Sequence, residues 1–290
     1  MADLQTILFA SDLSSESDLA LEHARFLAEH FRARITLFHA LEMPRDPYPA
    51  AGGDQDDVRG RWGGRMRQEL CRRARGLSVP YDIVVDEGHV GGHALADLAV
   101  LAMIERTRPD LTVMATRSRK GFASWFLGSM THQVVQHAGR PVLCVRPSRH
   151  GGTLPYRKLL VPTDLSQNSR RAFPLAGLLA RTFAARVEAL HVSPPRPLAV
   201  LTGVPGSGAP PVPSEEDVRR FVRPEVADVP VEASVYVTGS PWYRIVQTAE
   251  DHQADLIVMS TQGHDSVRDG IVGSNTDRVL RHAPCSVLVA

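Results

Sequence analysis

The chain has 290 residues, a formal net charge of +1 and three cysteines. That length allows two domains, each with its own core, and the near-neutral balance excludes a whole-molecule field of the kind that draws a protein to nucleic acid or a membrane surface. The odd, scattered cysteines Cys71, Cys144 and Cys285 argue for a reducing compartment without a disulfide frame; with no basic leader and no long apolar run, the expectation is a cytoplasmic chain.

In chain order, Thr6–Ala10 is a short apolar run that leads to Asp12. Ser14 or Ser15 is placed to cap a helix, on which Ala20, Ala24, Leu27, Ala28 and Phe31 form one stripe. Arg34–Ala40 reads as a buried strand. Glu42 to Asp57 is rich in proline and glycine and reads as a loop. A helix follows with Val58, Trp62, Met66, Leu70, Ala74 and Leu77 on one face. Its arginines (Arg59, Arg61, Arg65, Arg67, Arg72, Arg73 and Arg75) read as a solvated polar face rather than a nucleic-acid patch, because no aromatic residue interleaves them. Gly60, Gly63 and Gly64 weaken the same helix. Tyr81–Val85 and Leu111–Thr116 are strands with a helix between them. Gly128-Ser129 then opens a helix before a last strand ending at Val145.

The same text returns 152 positions later: ILFASDLSSES at Ile7 becomes LLVPTDLSQNS at Leu159. Asp12 falls on Asp164, Ser14 on Ser166, Ser17 on Ser169 and His39 on His191, and the stripe returns as Ala172, Ala176, Leu179, Ala180 and Phe183. A repeat of this kind means two copies of one α/β unit. Strand, helix, strand in each copy predicts a parallel sheet with right-handed crossovers. Pro147 to Tyr156 is the linker, so the domains are 1–147 and 157–290. The copies differ most in the segment after their second strands; in the second copy, Ser193 to Ser214, it is richer in proline and glycine, and a short helix capped by Ser214 and Asp217 follows.

Two features carry chemistry. Asp12 and Asp164 stand at the carboxyl end of a first strand, where open α/β sheets bind ligands; the alternative is an aspartate that only caps its turn. In the second copy Gly263 is followed, after nine intervening residues, by Gly273-Ser274 at the start of a helix. Glycines admit a phosphate close to the backbone, and a helix N-terminus offers N–H groups and positive charge. Ser274 with Asp277 is equally readable as a capping box, which needs no ligand. His89 and His93 have helical spacing but no third ligand, so no metal site is expected. Cys144 and Cys285 read as packing residues.

The aspartate with D-L-S after it, the strand end Leu190-His191-Val192 and the G-x2-G-x9-G-[ST] loop together resemble the universal stress protein family, as two tandem domains spanning nearly the whole chain. The resemblance implies Rossmann-like domains of the adenine nucleotide alpha hydrolase-like type. Each would hold a five-stranded parallel sheet in 3-2-1-4-5 order with helices on both faces. It implies domain pairing through the last strands and leaves a further homodimer and an unknown protein partner open. It also implies ATP or AMP, with or without magnesium, one per chain. The implied second-copy site is Thr163, Asp164 and Leu165 after the first strand, Val192 beside adenine, and Met259 and Ser260 at the fourth strand end. Gly263, His264, Gly273, Ser274, Asn275 and Thr276 complete it. The first-copy counterpart is Ser11, Asp12, Ala40, Ser118, Gly128 and Ser129.

The sequence departs from the family pattern in both loops. Ser260 replaces the first glycine of the second copy, and Ala115 and Ser118 replace two glycines of the first. A Cβ at a position needing positive φ costs ~1 kcal/mol or more. The second copy is therefore expected to bind nucleotide and the first to be weakened or empty, with Trp125-Phe126-Leu127 either plugging it or forming a contact surface. No P-loop lysine, nucleophile elbow or general base is evident, so the chain is not expected to be an enzyme. An interaction module without nucleotide is the alternative, and a slow ATPase a third reading.

Overall fold

The computed structural model describes residues 4–41, 55–86, 93–116, 128–148, 154–195, 211–226, 228–261 and 273–290, with backbone alone for 55–59 and 93–95. The chain divides into two compact units, Met1–Pro147 and Ser148–Ala290.

In the first unit the strands are β1 (Thr6–Ala10), β2 (Arg34–Ala40), β3 (Tyr81–Asp86), β4 (Leu111–Ala115) and β5 (Val142–Val145). The helices between them are α1 (Ser15–Phe31), α2 (Gln55–Ala74), α3 (His93–Thr107) and α4 (Ser129–His137). All pairings are parallel: β1 lies between β2 and β4, β3 flanks β2, and β5 flanks β4. The order is 3-2-1-4-5. The second unit repeats it with β6 (Lys158–Thr163), β7 (Arg186–Ser193), β8 (Val231–Val237), β9 (Leu256–Met259) and β10 (Ser286–Val289). There β6 lies between β7 and β9, with β8 and β10 outside. Its described helices are α5 (Gln167–Arg170), α6 (Ala172–Phe183), α7 (Glu215–Val222), α8 (Pro241–Asp251) and α9 (Ser274–His282). Consecutive residues Ile7–Ala10, Leu111–Met114 and Leu256–Met259 are all buried. Because strand side chains alternate between faces, both faces of each sheet are covered.

The repeated alanine stripe explains why the first helix can lie so close to its sheet. Ala20, Ala24 and Ala28 are fully buried, as are Ala172, Ala176 and Ala180 in the other copy. The two helices are nevertheless built differently. α1 is continuous, whereas its counterpart breaks at Arg171 into α5 and α6. Pro174, which falls where α1 has Glu22, has no N–H to give the carbonyl of Arg170. One stretch of the expected linker also changes status: Tyr156 is completely buried and belongs to the second unit's core.

Gly177 on α6 marks a close approach. A Cβ there would stand 2.8 Å from the Glu225 carbonyl oxygen and 3.2 Å from a Val226 methyl. Gly177→Ala is expected to destabilise the chain by about 1–3 kcal/mol, although alanine is the better helix former by about 1 kcal/mol. A urea midpoint unchanged or raised by the substitution would show that the α6 contact yields easily.

His23 on α1 falls where the second copy has Leu175. It is fully buried, and burial pushes its pKa down from 6.5 to about 4. The folded unit therefore holds the imidazole neutral, while the unfolded chain takes up a proton below its pKa of 6.5. The contribution is complete above that pH and is lost as pH falls toward about 4, by up to about 3 kcal/mol. His23→Leu should shrink the fall in the first unit's urea midpoint between about pH 7.5 and pH 4.5; an equal fall in the variant would exclude His23 as the source.

Candidate functional site

The site begins with a turn that both copies build in the same way. After β1 the chain enters the left-handed region at Leu13 (φ 61°), and after β6 at Leu165 (φ 63°). A side chain in that region costs about 1 kcal/mol or more, so hydrogen bonds must hold it. The Leu13 N–H donates to Ser11 Oγ (3.0 Å) and the Leu165 N–H to Thr163 Oγ1 (3.0 Å). The Ser14 N–H donates to Asp12 Oδ1 and the Ser166 N–H to Asp164 Oδ1, both at 3.0 Å. Ser14 and Ser166 then cap the helices, accepting from the N–H groups of Ser17 and Ser169. Each aspartate thus does shape its turn. Doing so also places its carboxylate, half-buried, beyond the end of the first strand.

The copies diverge around this shared frame. Ser17 Oγ donates to Asp12 Oδ1 at 2.6 Å, and the Ser14 hydroxyl donates to the same oxygen. The counterpart Ser169 instead gives its hydroxyl to the Ser166 carbonyl (2.9 Å) and shares a hydrogen bond with Thr163 Oγ1 (2.8 Å). The residue at 163 is threonine, where the first copy has Ser11.

One conserved link between the copies was legible only as an identity. His39 and His191 bond through Nδ1 to the carbonyls of Ser11 (2.8 Å) and Thr163 (2.9 Å). Each imidazole ties the end of the second strand to the residue before the aspartate. Another such pair is Thr131 and Thr276, whose hydroxyls donate to the carbonyls of Ala115 (3.3 Å) and Ser260 (3.1 Å). They fix the first turns of α4 and α9 against the ends of β4 and β9.

α9 corrects one sequence expectation. Ser274 and Asp277 do not form a capping box. Gly273 is the N-cap residue, with extended backbone (φ −60°, ψ 146°) and no side-chain cap, so Ser274 is the first helical residue. Asp277 is thereby one position too far along, and pairs with Arg281 one turn on at 2.9 and 3.0 Å. The Gly273 N–H donates to the Thr261 carbonyl (2.8 Å), Ser274 is exposed, Asn275 half-buried and Thr276 buried. Gly128 caps α4 in the same way, with Ser129 exposed after it. Val192 is half-buried on β7 and pairs with Tyr236 of β8, whose ring lies 3.5 Å from the Arg244 guanidinium carbon. Met259 and Ser260 are buried at the end of β9. Ala40 ends β2, opposite Asp86. Gly263, His264, Ser118, His89 and Trp125–Leu127 lie outside the described residues, as does the side chain of His93.

In the first unit the frame surrounds open space. A cavity of about 130 Å³ is lined by Asp12, Ser17, Met114, Gly128 and Thr131 among others. A second, of about 200 Å³, is lined by Asp12, His39, Ala40, Trp62, Met66 and Val100 among others. Both include Ala10, Asp12 and Met130 and lie at the carboxyl ends of β1 and β4, where the strand order reverses. The residues expected to plug this site or form a contact surface, Trp125-Phe126-Leu127, lie outside the described ones. The cleft wall formed by Trp62 and Met66 on α2 was read from periodicity only as part of an apolar stripe.

Arg73 revises the reading of the α2 arginines as wholly solvated. Its side chain is only 10% exposed; Nη2 donates to the Leu13 carbonyl (2.9 Å), and Nε contacts Asp18 Oδ1 at 2.6 Å. Arg72 does face outward, paired with Glu69. Cys144 is inert by environment, since burial pushes its thiol pKa up to about 12.

The sequence signature of the Universal stress protein family matches residues 4–146 and again 155–290. A universal stress protein of Methanocaldococcus jannaschii is 33% identical over 148 residues, 49% of this chain and 85% of its own length. One of Thermus aquaticus is 31% identical over 142 residues, 46% of this chain and 98% of its own. The crystal structure of a universal stress protein from Archaeoglobus fulgidus shares the fold over 100% of this chain and 99% of its own, with a TM-score of 0.72 at 19% identity. The parallel 3-2-1-4-5 sheet, with an aspartate turn at the point where strand order reverses, defines a Rossmann-like architecture. The chain belongs to the universal stress protein family and carries two copies of its domain in tandem.

No helix among the described residues is long and apolar enough to cross a membrane. Replacing Arg73 by methionine keeps the aliphatic stem and removes the charge-assisted bonds to Leu13 and Asp18. The first unit should lose about 1–3 kcal/mol of stability, read as a lower thermal midpoint; no loss would mean that the guanidinium only decorates the surface.

Proposed function

We propose that the chain binds an adenine nucleotide, ATP or AMP, in its second unit, and acts in a stress response through conformation or partner choice rather than through turnover. The observation that carries this reading is the start of α9. Gly273 offers backbone without a Cβ, no side chain caps the helix, and Thr276 holds its first turn against the end of β9. N–H groups in that position suit phosphate oxygens, and the helix dipole adds positive charge. Asp164 stands at the end of the neighbouring strand β6, where a carboxylate can accept from a ribose hydroxyl or a base amine. Ser274 and Asn275 add donors, and Val192 provides an apolar surface for the base.

Denaturing freshly purified protein and identifying the released small molecules by mass tests the reading directly. Adenine nucleotide at about one per chain is expected, lost on Gly273→Val because a branched side chain blocks the approach to the backbone. Asp164→Ala should abolish it as well. A folded Gly273→Val chain with unchanged affinity would remove the site assignment. No released nucleotide, together with no heat on titration with ATP, would favour an interaction module.

A further inference from the structure

We propose that the outward face of α2 is a docking surface for an acidic α-helix of a partner protein. Arg61, Arg65, Gln68 and Arg72 recur at i, i+4, i+7 and i+11, all of them exposed, and Arg75 extends the row into the turn after the helix. At about 100° and 1.5 Å per residue, the four helical positions fall within an arc of about 60° and span about 17 Å. The result is a straight basic row one residue wide. Arg72 is paired with Glu69, whereas Arg65 and Arg75 have no carboxylate partner among the described residues.

The fold does not require this charge. α7 occupies the same place in the second unit, between the second and third strands, and its arginines are matched along the helix: Arg219 by Glu215 (2.9 Å) and Arg220 by Asp217 (3.4 Å). On α2, Arg61 and Arg65 stand one turn apart with the same sign, which weakens a helix that its glycines already weaken. Gly60 and Gly64 are exposed beside the row, and a Cβ at either would meet nothing within 4 Å among the described residues. Bare backbone there lets a second helix approach closely.

Width and shape select the occupant. No aromatic side chain stands in the row for bases to stack on, and a duplex or bilayer presents its charge over a front broader than one residue. A helix with carboxylates at the same three-and-four spacing matches the row charge for charge, and the guanidinium fork fits a carboxylate through two bonds. The row is also held in place. Arg73 donates to the Leu13 carbonyl, and Arg67 Nη1 to the Ile83 carbonyl of β3 at 3.1 Å, so α2 loses little freedom on docking. This surface does not depend on nucleotide in the second unit.

The test uses the full chain and an end-blocked, alanine-based helical peptide with glutamates at i, i+4, i+7 and i+11, labelled for fluorescence anisotropy. Saturable binding at about one peptide per chain is expected, weakening as salt rises. Arg65→Gln and Arg75→Gln, both at exposed side chains, should each weaken it about two- to fivefold. The double reversal Arg65→Glu with Arg75→Glu should weaken it about tenfold or more, with unchanged circular dichroism. Gly273→Val, which acts in the second unit, should leave peptide binding unchanged, so failure of the nucleotide reading and failure of this one are separable. Binding that does not saturate, equal binding of a scrambled peptide of the same composition, indifference to the double reversal, or tighter binding of duplex DNA at matched salt would each overturn the proposal.

Discussion

The turn that carries the aspartate in each unit hangs on a leucine held at positive φ. Leu13 and Leu165 reverse the chain just beyond the first strand, so that an aspartate is left at the strand end and the next helix starts back down over the sheet. The conformation is unfavourable for a branched side chain, and a hydroxyl, a carboxylate and a capping serine compensate for it in both copies. A carboxylate that is already half-buried and oriented loses little freedom on meeting a ligand. Local strain and a fixed carboxylate are thus two results of the same few hydrogen bonds.

The duplicated architecture keeps this turn while changing what surrounds it. Ser169 turns its hydroxyl to Thr163 and the Ser166 carbonyl, where Ser17 gives its own to the aspartate. Pro174 divides one helix and leaves the other whole. Methionines and a tryptophan line a cleft in the first unit. The shared frame tolerates these changes because its own bonds are mostly local, running between residues two or three apart.

The sequence made the frame legible and the surroundings obscure, for physical reasons. The positions of the strands and of the first helix in each copy follow from short-range periodicity, capping serines and the repeat, and Asp12, Asp164, Ser14 and Ser166 could be placed from these alone; the strand order followed only from the family resemblance. The roles of His39 and His191 depend on a contact 28 residues away in chain order, which spacing cannot show; their identity in both copies was the available signal. The N-terminus of α9 was misplaced by one residue because Gly and Ser are both good N-caps, and that single step reassigns Asp277 from the helix start to Arg281. Trp62 and Met66 looked like any core stripe, because periodicity reports which face turns inward and not whether that face is filled.

Arg73 has a mechanical meaning beyond its bonds. The guanidinium passes from α2 to the carbonyl of the strained leucine, so the wall of the first-unit cleft and the turn beside Asp12 are joined by one charge-assisted strut. A wall held only by apolar packing could slide over its sheet without disturbing the turn. With the strut in place, any displacement of α2 pulls on the backbone beside Asp12, and the carboxylate registers where the wall stands.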